Sequence, residues 1–116
     1  MAVASARASH LRISPRKLRL VADQIRGKKV VEARNILLFT VKGGAPLLST
    51  VLAAAVANAE SKAAERRERI DTDEMIITKL LVNGGPTMRR YRSAPRSRGV
   101  KIRRRSSHIE MIIAHK

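Results

Sequence analysis

Hydrophobic and polar positions trade period along this chain, and the changes mark its elements. Residues 3–13 alternate weakly, with Arg7, His10 and Arg12 among small and apolar residues, which predicts an N-terminal strand. At Ser14-Pro15 the period becomes helical. Ser is a favoured N-cap, and Pro at the first helical position loses nothing because that N–H has no partner inside a helix. Leu18, Val21, Ala22 and Ile25 then follow at i, i+3, i+4, i+7 spacing as one apolar stripe, and Gly27 is placed as a stop. A second helix is predicted over residues 30–40, with Val30, Ala33, Ile36 and Leu37 inward, broken by Gly43-Gly44. A third starts near Pro46 and extends to about Arg66, with Leu48, Val51, Leu52, Ala55, Ala59 and Ala63 inward.

Residues 65–74 carry mixed charge without an apolar period and read as a loop of solvated acids and bases. Two dense aliphatic runs follow, residues 75–82 and 108–114, and both read as strands. In the second, Ile109, Met111 and Ile113 share one face and Glu110 the other. Between them, residues 88–105 hold nine Lys or Arg, no acid, and only Met88, Val100 and Ile102 as sizeable aliphatics. This stretch cannot bury a core of its own. Pro95 and Gly99 are expected to mark a turn between two antiparallel arms. If residues 83–107 form that hairpin, each arm projects ~40 Å at ~3.3 Å per residue. A free two-stranded ribbon is marginal in water, so order in this arm is expected only within a partner.

Composition sharpens this picture. The chain has 116 residues, enough for one domain with a modest core. Phe and Tyr occur once each and Trp not at all, so that core must be aliphatic. The formal net charge is +16, and it is segregated: +7 over residues 1–30, zero over 31–85, and +9 over 86–116. Cationic ends beside a neutral middle call for a polyanion, and release of nucleic-acid counterions is the usual driving force. Cysteine is absent, which removes disulfides and thiolate chemistry and suits a reducing compartment. No secretory pattern opens the sequence, and the longest apolar run, seven residues from Val51, falls far short of the ~20 needed to cross a bilayer.

Two basic groups are the candidate binding surfaces. The first is Arg12, Arg16, Lys17, Arg19, Arg26, Lys28 and Lys29, with Ser14 and the free N–H groups after Pro15 as further phosphate donors; Arg7 on the first strand joins it. The second is the hairpin set Arg89, Arg90, Arg92, Arg96, Arg98, Lys101, Arg103, Arg104 and Arg105. Eight arginines to one lysine suits RNA, because guanidinium forks onto phosphate and stacks on exposed bases. His10, His108 and His115 lack helical i, i+3 or i+4 spacing, so no metal site is expected. Ser106-Ser107-His108 is no nucleophile elbow, and no phosphate-loop or dinucleotide fingerprint occurs, so neither an enzyme nor a cofactor is expected. Two other readings compete. Helix, Gly27 and helix could be a DNA-binding helix-turn-helix, but residues 30–40 expose little beyond Arg34 and Asn35 and include Glu32. A membrane-active cationic chain would need tryptophans and a basic amphipathic helix with a large apolar face.

Four blocks in order carry a family resemblance: LRISPRKLRLVADQIRGKKVVEARNIL at 11–37, AAAVANAE at 53–60, VNGGPTMRRY at 82–91 and RRRSSHIEMII at 103–113. Together they resemble large-subunit ribosomal protein twenty-two in its bacterial form, over nearly the whole chain. The resemblance implies an α+β fold: about three helices packed on a small antiparallel sheet, with a long protruding β-hairpin. Residues 1–83 and 108–116 would form the globular part and 84–107 the hairpin. It implies a structural constituent of the large subunit that binds large-subunit rRNA in several domains and supports assembly. Its other partners would be neighbouring ribosomal proteins and the nascent peptide, with neither membrane nor homo-oligomer, in a cytoplasmic or organellar ribosome. His108 matches the family's Ser-His-Ile and is expected to touch RNA or hold structure. Met88, Arg89, Arg90, Arg92, Ser93, Ala94, Pro95 and Arg96 match the tunnel-lining, macrolide-proximal part of the hairpin. The tip departs from the family's Pro-Arg-Ala-Lys/Arg-Gly-Arg, with Pro95 and Gly99 about two positions late.

Overall fold

In the computed structural model, which describes residues 3–67, 69, 71–94 and 98–114, the chain turns from strand to helix at Ser14. Strand β1 (Val3–Leu11) leads into α1 (Pro15–Ile25), followed by α2 (Val30–Phe39) and α3 (Gly44–Glu65). Then come β2 (Ile76–Gly84), β3 (Met88–Ala94), β4 (Arg98–Arg104) and β5 (Ser107–Ala114). The Ser14 side chain accepts from the Lys17 N–H, and Pro15 opens the helix. Leu18, Val21, Ala22 and Ile25 are buried as their spacing requires. Gly27 takes φ +80°, the left-handed turn that ends the helix, and its N–H bonds the Ile77 carbonyl on β2. Helix α3 begins at Gly44, two residues before the expected start, so Pro46 lies in its first turn, where the missing N–H costs no helical bond.

The three helices lie over a sheet of order β1-β5-β2, all antiparallel. Their apolar stripes meet Ala4, Ala6, Ile77, Leu80, Val82, Ile109, Met111 and Ile113 in one aliphatic core. Alanines on β1 and on α3 let those two elements approach closely. Both outer strands have an edge without a strand neighbour; on β2 the backbone of Gly27 and Lys28 bonds that of Ile77, and helix side chains take further edge carbonyls on both strands. On β1, Asn58 donates to the Ser5 carbonyl at 2.8 Å and Lys62 to the Val3 carbonyl at 3.3 Å. On β2, Arg19 donates twice to the Val82 carbonyl (3.2 and 2.9 Å), and Arg26 twice to that of Leu80 (3.3 and 3.0 Å). The expected loop at 65–74 contains a 3-10 turn at Thr72–Glu74, capped by Asp71. Among the described residues its acids are exposed, and two of them make surface ion pairs: Asp73 with Arg34 at 3.6 Å and Glu74 with Lys29 at 3.2 Å.

Among the described residues, strands β3 and β4 pair only with each other. They continue the β2–β5 pair outward as a ribbon, with a change of register. Gly84 faces Ser107, whereas the next named pair is Met88 with Arg104. Residues 85–87 therefore stand opposite only residues 105 and 106, one extra residue in one arm, as in a β-bulge. Gly99 does not sit in the turn as expected; it lies inside β4 opposite Ser93. The turn itself, with Pro95 and Arg96, lies outside the described residues. The molecule measures 67 × 26 × 16 Å with a radius of gyration of 17.5 Å. A compact chain of this length would have about 13 Å. Among the described residues no helix is long and apolar enough to cross a membrane.

Candidate nucleic-acid interface

The ribbon leaves the sheet through a collar of small residues. Ser107 is fully buried, and its hydroxyl donates to the Ile13 carbonyl at 2.6 Å, tying β5 to the chain just before α1. Ser106, also buried, donates to the Pro86 carbonyl at 2.6 Å, while the Gly85 N–H bonds the Ser106 carbonyl at 2.9 Å. A Cβ on Gly85 would lie 2.6 Å from the Ser106 hydroxyl and 3.1 Å from the His108 ring, so only glycine fits there. His108 is held as well. Its Nδ1 accepts from the backbone N–H of His10 at 3.0 Å, and the two rings meet edge to face at 4.9 Å. His10 has φ +57° at the irregularity in β1, a conformation this contact helps fix. His108 thus makes a structural contact with β1.

Around the collar the two basic groups converge. One cleft, of ≈ 520 Å³, is lined by Ser14, Pro15, Arg16, Arg19, Gly84 and Arg105. A second joins Arg12, Ser14 and Lys17 to Arg103, Arg104 and Arg105. A third joins Arg12 to Met88, Arg90, Arg104 and Arg105. Arg12, Arg16, Lys17, Arg103, Arg104 and Arg105 are exposed, and among the described residues no acid pairs with them. Residues about ninety apart in sequence thus form one acid-free surface where α1 begins. Such a surface fits a chain of phosphates, each reachable by a guanidinium fork.

Other members of the first basic group lie elsewhere. Arg26, Lys28 and Lys29 follow the far end of α1, about 16 Å from Ser14 at 1.5 Å per residue. Arg26 pairs with Asp23 in addition to its bonds to Leu80, and Lys29 pairs with Glu74. Arg7 faces Glu110 across the β1–β5 register at 3.4 Å. Arg19 does both jobs, holding β2 while lining the first cleft. The sequence reading missed the strand-edge roles of Arg19 and Arg26 because their partners are backbone carbonyls, which leave no mark in a side-chain pattern. It passed over Ser106, Ser107 and Gly85 as a binding frame; Gly84-Gly85-Pro86 was the one local signal of close backbone approach.

Along the ribbon, alternation divides the side chains. Met88, Arg90, Arg92, Ile102 and Arg104 share one face, and Arg89, Tyr91, Lys101 and Arg103 the other. On the first face cations stand opposite apolar residues: Met88 faces Arg104 and Arg90 faces Ile102. On the second, Arg89 stands directly opposite Arg103, a like-charge pair that destabilises an isolated ribbon. Of the remaining expected contacts, Ser93, Ala94 and Arg98 are placed in the strands by their backbones only, and Pro95 and Arg96 lie outside the described residues.

The model of the family described as ribosomal protein L22p/L17e matches residues 6–114. The chain is 46% identical over 110 residues to large ribosomal subunit protein uL22 of Maridesulfovibrio salexigens, covering 95% of this chain and 96% of that protein. It is 43% identical over 116 residues to the uL22 protein of Desulfitobacterium hafniense, covering 100% and 97%. With that of Bacteroides fragilis it shares 42% over 103 residues, covering 89% and 74%.

Proposed function

Because the chain belongs to the ribosomal protein L22p/L17e family, we propose that its acid-free surface and ribbon grip large-subunit ribosomal RNA. The family is structural, and the chain is a ribosomal constituent rather than an enzyme. One observation carries the reading of the site: Arg12, Arg16 and Lys17 meet Arg103, Arg104 and Arg105 around the collar, with no acid among them. The globular part would seat on the subunit surface and support assembly. The ribbon would run inward between RNA segments to line the peptide exit tunnel, with Met88, Arg89, Arg90 and Arg92 near the nascent chain and near bound macrolides. Neighbouring large-subunit proteins would complete the seat, in the cytoplasm.

Co-sedimentation of the full chain with large subunits at high salt tests this reading. If about six phosphates are engaged, the affinity for rRNA falls with a log–log salt slope of about −4 to −5. A slope near zero, or association with chromosomal DNA alone, would refute it.

A further inference from the structure

Tyr91 is the chain's only tyrosine, and it stands 71% exposed in the middle of β3. An exposed aromatic on a ribbon of cations has an ordinary explanation to weigh first. Its Cδ1 lies 3.8 Å from where a Cβ on Gly99 would be, so the ring leans across the bare backbone of that glycine. Aromatic cover over a strand glycine stabilises the pair of strands. That accounts for the face of the ring turned toward β4. It does not account for the other face, which remains in water, and any bulky apolar side chain would cover the glycine as well.

The surroundings of the open face are specific. Lys101 stands directly opposite Tyr91 across the strands, and Arg89 and Arg103 form the next pair on the same side. All three are exposed, and among the described residues none meets an acid. The chain's other large aromatic, Phe39, is 80% exposed but ends α2 beside Leu38 and Thr40, with no set of cross-strand cations on its face. A flat π surface with cations beside it on the same face is an arrangement that receives an unpaired base, the ring taking the base and the cations the flanking phosphates.

We infer that Tyr91 is a stacking platform for one unpaired RNA base, held by Arg89, Lys101 and Arg103 through the adjoining phosphates. This rests on the RNA-binding function proposed above and adds to it a single-stranded specificity on one face of the ribbon. The opposite face, with Arg90, Arg92 and Arg104 among Met88 and Ile102, offers cations without an aromatic surface.

The full chain, labelled with ¹³C only in its tyrosine, is titrated with oligoadenylate and with an abasic oligomer carrying the same number of phosphates. Anisotropy of a dye on each oligomer reports binding, and the ring signals report stacking. We expect both oligomers to bind, but only oligoadenylate to move the ring signals upfield. Tyr91→Phe keeps the affinity for oligoadenylate. Tyr91→Leu, which still covers Gly99, weakens it by about 5- to 150-fold, the equivalent of ~1–3 kcal/mol per stacked base. Neither substitution changes binding of the abasic oligomer. Oligoadenylate that binds without moving the ring signals, or a leucine variant with unchanged affinity, overturns the platform and leaves the RNA-binding reading intact. If neither oligomer binds, the RNA-binding reading falls and takes the platform with it.

Discussion

Ser107 has no exposed surface, and its side-chain hydrogen bond reaches back 94 positions to Ile13. Ser107→Ala leaves a part-buried carbonyl without the hydroxyl that donates to it, and we expect a loss of about 1 kcal/mol in denaturant unfolding of the free protein. Gly85→Ala pushes a methyl group against the Ser106 hydroxyl and the His108 ring, both held by their own hydrogen bonds. An overpacking cost of ~1–3 kcal/mol follows, read as a lowered unfolding midpoint. The role of Ser107 could not be seen in the sequence, and Gly84-Gly85-Pro86 signalled a close approach without its partner, because both contacts form only once the sheet closes. Ser14 and Pro15 were legible for the opposite reason: a cap and a first-turn proline act on residues three or four positions away.

At the scale of elements, α1 and the ribbon divide folding from binding. Leu18 is fully buried between α1 and its neighbours, and Leu18→Ala should cost ~2–5 kcal/mol by the cavity it leaves. Removing Met88, Arg89 and Arg90 should leave thermal unfolding of the free protein unchanged, since none belongs to the core. The same deletion should alter the response of assembled ribosomes to macrolides. Amide exchange in the free chain should be fast across β3 and β4 and slow across β5, because the ribbon has two strands, no helix over it and repelling arginines. Helix positions were readable because a 3.6-residue stripe needs no knowledge of what covers it. The arms were readable as strands, but their exact pairing was not. Pro95 and Gly99 suggested a symmetric turn, whereas Gly99 lies within β4 and the extra residue at the collar sets its partner as Ser93.

For the whole molecule, segregated charge was the most legible feature and the least detailed. It indicated a polyanion and two cationic ends, and the fold brings Arg12, Arg16 and Lys17 beside Arg103, Arg104 and Arg105. It gave no warning that Arg7, Arg26 and Lys29 are engaged with Glu110, Asp23 and Glu74. Replacing Arg12, Arg104 and Arg105 together by Gln should reduce the magnitude of the log–log salt slope for rRNA by about 2 to 3, as three phosphates are released. The matching change at Arg7, Arg26 and Lys29 should move that slope far less.

The unequal collar also constrains how such a gene can change. With residues 85–87 facing only 105 and 106, every cross-strand partnership out to Ala94 and Arg98 depends on one length difference. Losing a single codon from either arm would bring a different residue opposite Tyr91 or force the tip to a different loop size. Length variants that spare the ribbon should therefore arise as compensating pairs, one in each arm, while solitary insertions or deletions should surface only under selection strong enough to tolerate a reshaped tip.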